Sequence, residues 1–289
     1  MELRQLEYFQ MTSRLKSITR AAQKFKVSQP NITVAIKKLE TELGILLFDR
    51  SQKQFILTPE GAVFLKRIEV ALRNIKDAVL EVNDYKQLQK GTIKIGIPPM
   101  MGAYLFPKIF SDFRQIHPHL DVLLFEEGSL SIREKLESGE LDFGIIIVPE
   151  STPNLNVLKM SRNQLMVCVS RKSELARKTD ITPCDIAAAD LIMMKEGAYL
   201  REVVQNKLSA LNITPRTILE SSQIVTIKGL VAHRVGIAFL LDFICRNSAD
   251  IKKIPFYEPI FVDIGLAWKK NRYVSKAAQA FIDFCKYPF

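Results

Sequence analysis

Histidine and cysteine are scarce in this chain, with three and four copies in 289 residues. The cysteines (Cys168, Cys184, Cys245 and Cys285) stand far apart and form no CxxC pair. That spacing excludes a disulfide framework and a structural zinc site, and it fits reduced thiols in a cytoplasm. His117 and His119 could share a metal in principle, but no third ligand lies near them in sequence, and HPHL reads as a surface turn. No GxSxG, HExxH or GxxxxGK[ST] occurs, so the usual parts of catalysis are missing and neither an enzyme nor a bound cofactor is expected. Long apolar runs are missing too. The best window, Ile224 to Cys245, is interrupted by Lys228, His233, Arg234 and Asp242, and it cannot cross about 30 Å of hydrocarbon without large penalties. The amino terminus MELRQLEYFQ carries acids and polar residues where a signal peptide needs a basic patch and an apolar stretch. A cytoplasmic protein without a membrane partner is expected.

What is present in excess is positive charge: +10 formally, with a pI near 9.4. This favours an acidic partner, whether nucleic acid, an anionic surface or anionic small molecules. The hydrophobic fraction of 47% is ample for a globular core in a chain long enough for two domains or more.

Three regimes follow one another. Residues 1–58 are short amphipathic segments: Leu3, Leu6, Tyr8 and Phe9 have helical spacing, as do Ile18, Ala21, Ala22 and Phe25. In the third segment, starting at Ser28, Ile32, Ile36, Leu39 and Leu43 stack on one face. Phe55 to Leu57 then reads as a short strand after a basic turn. Three helices and a small hairpin predict a winged helix-turn-helix. Residues 59–90 predict one long linker helix, capped by Thr58 with Pro59 at its first position. Its Leu65, Ile68, Leu72, Ile75, Val79 and Val82 form a heptad seam suited to a second copy, the alternative being packing within one chain. From 91 to 289 short apolar strands such as GIIIV alternate with helices, which predicts parallel α/β sheets covered on both faces. One of the helices is expected over Tyr104 to Ile116.

The outer face of the Ser28 helix carries the chemistry. Opposite its aliphatic side lie Pro30, Val34 and Lys37, flanked by Asn31, Thr33 and Lys38. A solvated helix gains nothing from Pro30 and Val34 there, whereas a helix in a DNA major groove uses apolar contacts to thymine methyls. Gln29 and Asn31 can donate and accept together, as adenine requires, Thr33 and Val34 offer methyls, and Lys37 and Lys38 point at phosphates. Ser28 is expected to cap this helix, and Arg50 and Lys53 would sit in the wing against the backbone or minor groove.

The runs RQLEYFQ, SITRAAQKFKVSQPNITVAIKKLETELGILLFDR and LTPEG, followed by IKIGIPP, EEGSLSIREKLESGELDFGI and VAHRVGIAFL, resemble LysR-type transcriptional regulators along the whole chain. The resemblance implies an effector domain with a periplasmic-binding-protein-like (type 2) α/β fold in two subdomains, about 91–161 with 266–289 and about 162–265. It implies a regulator that binds an interrupted palindrome in double-stranded DNA, self-associates as a dimer or tetramer, admits RNA polymerase as a partner, and holds a small-molecule effector between its subdomains. Gln29, Pro30 and Thr33 match the family's base-reading positions, and Lys37 matches a basic contact. Three strand-to-helix junctions, Gly128 to Ser131, Gly197 to Leu200 and Ser221 to Gln223, should converge on the cleft. Met100, Ser129, Tyr199 and Ser222 are expected to line it around a small organic acid. Pro99, Met100 and Met101 replace the family's frequent hydroxyl there. Arg234, where glycine is usual, should alter a turn or add a cation beside the cleft. A solute receptor is disfavoured by the missing leader, and a sequence-blind nucleoid protein would not need nearly two hundred residues after the linker.

Overall fold

A computed structural model describes residues 1–49, 56–86, 91–149, 151–246 and 248–287, with 80 and 83–86 described by backbone alone. They form two compact units, Met1–Lys86 and Gln87–Phe289.

In the first unit, α1 (Leu3–Leu15), α2 (Ile18–Phe25) and α3 (Gln29–Leu43) are followed by the hairpin β1 (Phe48–Asp49) and β2 (Ile56–Leu57) and by α4 (Pro59–Lys86). Two of the helix stops lack glycine: Lys16 and Lys26 take left-handed φ of 49° and 55° to end α1 and α2. Ser17 caps α2, its hydroxyl accepting from the Arg20 N–H at 3.3 Å. Phe9, Ala21, Ile32, Leu39 and Phe48 are fully buried in one core. Leu3, grouped above with Leu6, Tyr8 and Phe9 by its spacing, is exposed instead, at the very start of α1.

Thr58 does cap α4, its hydroxyl oxygen accepting from the Gly61 N–H at 2.9 Å while its own O–H donates to the Leu46 carbonyl at 2.7 Å. A Cβ on Gly61 would lie 2.2 Å from the Leu47 carbonyl oxygen, so only glycine lets the helix start this close to β1. The predicted seam divides in two. Ile68 and Leu72 are buried in the core of the first unit, against α1, whereas Ile75, Val79 and Val82 are 45%, 56% and 55% exposed. The amino-terminal half of the heptad pattern therefore serves this chain's own core.

The second unit comprises β3 (Gly91–Ile97), α5 (Pro99–Tyr104), α6 (Phe106–Ile116), β4 (Leu120–Glu126), α7 (Ser129–Ser138), β5 (Phe143–Ile147), β6 (Leu155–Ser170), α8 (Pro183–Ala188), β7 (Asp190–Met194), α9 (Tyr199–Ala210), β8 (Arg216–Ser221), α10 (Ile224–Ala232), β9 (Ala238–Leu241), β10 (Ile251–Lys269) and α11 (Lys276–Cys285). The expectation of parallel sheets needs correcting. Strands β4, β3 and β5 are parallel, but β10 runs antiparallel to both β5 and β6, and β9 antiparallel to β6, in one mixed sheet ordered β4-β3-β5-β10-β6-β9. Strands β7 and β8 form a separate parallel pair.

The helix expected over 104–116 is broken at Leu105, because Pro107 has no N–H to bond the Ala103 carbonyl and its ring crowds that turn. The long strands β6 and β10 stay paired from Leu155–Lys269 to Ser170–Ile251, with register shifts between Pro255 and Ile260 and between Ile264 and Gly265. They are the continuous connection between the region of β3–β5 and the region of β7–β9. The fully buried Ile93, Ile95, Phe113, Ile145 and Phe281 build the core on the first side, and Val167, Ile181, Leu191 and Leu240 build it on the other.

Candidate nucleic-acid interface and ligand cavity

The amphipathic reading of α3 meets the structure residue by residue. Ile32, Ile36 and Leu39 are 0–4% exposed, and Leu43 is half-buried where the helix ends. Within the first unit, Gln29, Pro30, Asn31, Val34, Lys37 and Lys38 are all exposed, Val34 at 51%. Thr33 is half-buried and its hydroxyl donates to the Gln29 carbonyl at 3.1 Å, which orients its methyl. Ser28 occupies the cap position with an extended backbone, but its side chain makes no cap bond; the capping expectation is thus corrected, and the first-turn N–H groups of α3 have no side-chain acceptor there. Arg50 and Lys53 lie outside the described residues.

Sequence reasoning missed Glu40. It is buried, and its carboxylate accepts from the N–H of Leu47 at 2.9 Å and of Phe48 at 3.4 Å. The side chain ties the end of α3 to β1 by satisfying backbone donors that would otherwise be stranded. Its spacing from Ile32 and Ile36 puts position 40 on the inner face, but an acid there finds its reason only in the N–H groups that the chain brings back to it at Leu47 and Phe48.

In the second unit, one cavity of about 330 Å³ gathers all four residues expected to line it, Met100, Ser129, Tyr199 and Ser222. The three junctions converge on it as well: Gly128 and Ser129 at the start of α7, Gly197 to Leu200 at the start of α9, and Ser222 and Gln223 before α10. Neither Ser129 nor Ser222 caps a helix. Gly128 and Gln223 hold those cap positions without side-chain bonds, and it is Ser221 whose hydroxyl accepts from the Gln223 N–H at 3.1 Å. The starts of α7, α9 and α10, each lending partial positive charge, therefore face a space whose floor is the first turn of α5 (Pro99, Met100 and Met101) with Ile147 and Met194.

The mouth is narrow. A Cβ on Gly128 would come within 3.2 Å of the Gly197 carbonyl oxygen, so two backbones from opposite sides of the cavity nearly touch there. Gly197 itself has φ of 84°, a conformation that disfavours other residues. Beside it Glu127 accepts from the Lys135 ammonium and the Ser131 hydroxyl, which hold its carboxyl below the usual range. Lys195, Glu196 and Glu126 add charge at the rim.

Arg234 does not join this cavity. It adopts a left-handed φ of 63° after α10, the conformation that glycine takes most readily, and lines a different depression with Ser170, Glu174 and Asp190; the expectation of a cation beside the cleft is thus corrected. His117 packs on Phe113, the rings tilted by 40° with centroids 4.9 Å apart. None of the four cysteines forms a disulfide, and the buried Cys168 and Cys245 thiols share a hydrogen bond with their sulfurs 3.2 Å apart. Among the described residues no group of three potential ligands could hold a metal, and no helix is long and apolar enough to cross a membrane.

Residues 3–62 match the family model for the bacterial regulatory helix-turn-helix protein, lysR family, and residues 86–287 match the LysR substrate binding domain. The HTH-type transcriptional regulator YwbI of Bacillus subtilis is 32% identical over 99% of this chain and 96% of its own length. Among solved structures, full-length OxyR from Pseudomonas aeruginosa is 25% identical, superposes with a TM-score of 0.74 and covers 100% of this chain and 95% of its own. The effector binding domain of QuiR in complex with shikimate is 26% identical with a TM-score of 0.63, covering 68% of this chain and 96% of that domain.

Proposed function

This chain belongs to the LysR family of DNA-binding transcriptional regulators with an effector-binding domain, and on that premise we propose how its residues divide the work. Residues 1–58 bind DNA, 59–90 link and pair two copies, and 91–289 sense the effector. Helix α3 enters the major groove, with Gln29 and Asn31 reading base edges, Pro30, Thr33 and Val34 packing on thymine methyls, and Lys37 and Lys38 on phosphates. Arg50 and Lys53 are assigned to the wing. The site is an interrupted palindrome because a two-fold dimer presents two such helices. RNA polymerase is the further partner of such a regulator, and the cytoplasm its place of action.

The effector is a small organic acid. Its carboxylate is received by the N–H groups that open α7 and α10 with the hydroxyls of Ser129 and Ser222, and its carbon skeleton lies on Met100 and Met194 beside Tyr199. The single observation that carries this reading is the convergence of three helix starts on one partly apolar cavity of about 330 Å³. That QuiR is complexed with shikimate, a carboxylate, supports the same choice. A ligand bridging Gly128 and Gly197 favours one placement of the regions on either side of the cavity, and the population of DNA-competent forms shifts by the difference in affinity.

Calorimetry of the full chain against small carboxylates, shikimate first, and against their neutral methyl esters tests the assignment. Acids should bind at least about tenfold more tightly than esters, the gain of charge-assisted hydrogen bonds over neutral ones. Esters that bind while every acid stays silent would overturn it.

A further inference from the structure

A second, larger hollow of about 630 Å³ lies beside the cavity and shares only Tyr199 with it. Its walls are the end of β5 with Val148 and Pro149, the middle of β6 and β10, and the first turns of α9 through Tyr199 and Val203. Two cations stand in it. The Lys159 ammonium is spent on Asp263, 2.6 Å away. Arg162 has no ion-pair partner among the described residues; its guanidinium lies over the Phe261 ring at 4.8 Å.

A guanidinium held over an aromatic face by cation–π attraction keeps its N–H donors, whose fork geometry matches a carboxylate. Phe261 is 49% exposed, a large apolar surface left open beside an unpaired charge. Since Lys159 and Asp263 cancel, one positive charge remains, which suits a monoanion rather than a dianion. Val148, Val157, Val203 and Phe261 make part of an otherwise polar lining apolar, where a hydrocarbon body can pack.

We propose that this hollow is a second ligand site, for a carboxylate carried on a flat apolar body, with Arg162 binding the carboxylate and Phe261 and Val203 packing on the body. The assignment rests on this hollow's own residues and not on which ligand the cavity takes. It has a regulatory consequence, because β6 and β10 are the strands that connect the two regions of the unit. A ligand wedged between β5, these strands and α9 favours one angle of the connection, and through the shared Tyr199 it is energetically coupled to the cavity.

The test uses 2-naphthoate as probe, on the full chain with the cavity plugged by Ser222→Trp or, separately, by Ser129→Trp. Fluorescence titration should show one saturable site in both backgrounds. Arg162→Gln should weaken it about tenfold or more, and Arg162→Lys should restore only part of the loss because it keeps the charge without the fork. Arg162 is exposed, so thermal melts of these variants should match the parent. The neutral 2-naphthamide should bind about tenfold more weakly than the acid. Absence of saturable binding in both plugged backgrounds overturns the proposal, and so does binding indifferent to Arg162→Gln.

Discussion

At the scale of single residues, backbone conformation and side-chain partners decide more than residue class does. Arg234 shows this. With φ of 63° it occupies the left-handed region, which costs an ordinary residue about 1–2 kcal/mol and glycine almost nothing, against which glycine loses about 0.5–1 kcal/mol more backbone entropy on folding. Arg234→Gly should therefore raise stability by about 0.5–1 kcal/mol, read as a higher denaturant midpoint with unchanged slope. A lower midpoint would mean that Arg234 makes a compensating interaction in its depression. Sequence could reveal that a turn stands here, since the chain departs from the family's glycine; the direction of the side chain, away from the effector cavity, depends on how α10 is rotated and was not legible. Glu40 is the same lesson from the opposite side, because its burial follows from where β1 leaves its N–H groups.

At the scale of elements, helix α7 and helix α4 make separate cases. Glu127 precedes α7 and accepts from Ser131 and Lys135 on its first two turns, fastening the start of the helix at the cavity mouth. These partners lower its pKa in the folded state. A depressed carboxyl contributes stability that is present above its unfolded value, about 4.3, and is lost as pH falls through the folded value. Thermal melts from pH 7 to pH 3 should show this loss in the parent protein, and Glu127→Gln should flatten it while lowering stability near neutrality. An equally steep acid loss in the variant would assign the effect to other carboxylates.

Helix α4 was legible in start, length and periodicity, but periodicity cannot say what covers a seam. Ile68 and Leu72 pack on this chain's own core, while Ile75, Val79 and Val82 stand uncovered. Pairing of two copies through that carboxyl-terminal half should bury each valine for about 1.5 kcal/mol or more. Val79→Asp, counted on both chains, should weaken the dimer by about a hundredfold or more, measured by sedimentation of the full chain. The first unit should keep its fold, because Val79 is not in its core. An unchanged dimer would move the pairing surface elsewhere.

At the scale of the whole molecule, the alternation of strand and helix was enough to recognise an α/β effector domain after a winged helix-turn-helix. The sheet is mixed because β6 and β10 are long, antiparallel and shared, and half of each was invisible in sequence: the stretch Leu155 to Asn163 mixes polar and apolar residues, and Pro255 and Pro259 interrupt β10 at its register shift. The cavity was legible where strand ends meet glycine and serine, so Met100, Ser129, Tyr199 and Ser222 could be named; Ile147, Met194 and the close approach of Gly128 to Gly197 come from tertiary placement. Both proposed ligand sites and the helix proposed to face DNA therefore trace to elements whose positions only the assembled sheet and helices define.

All of this depends on α3 placing its outer face in the groove of a duplex. Val34, 51% exposed in the first unit, sits at the centre of that face, and Val34→Asp puts a negative charge there without touching the core. Fluorescence anisotropy of the full chain on the intergenic DNA beside its own gene should show a loss of about tenfold to a hundredfold in affinity, at fixed salt and with an unchanged melting curve. Undiminished binding of the Val34→Asp protein to that DNA would contradict the account.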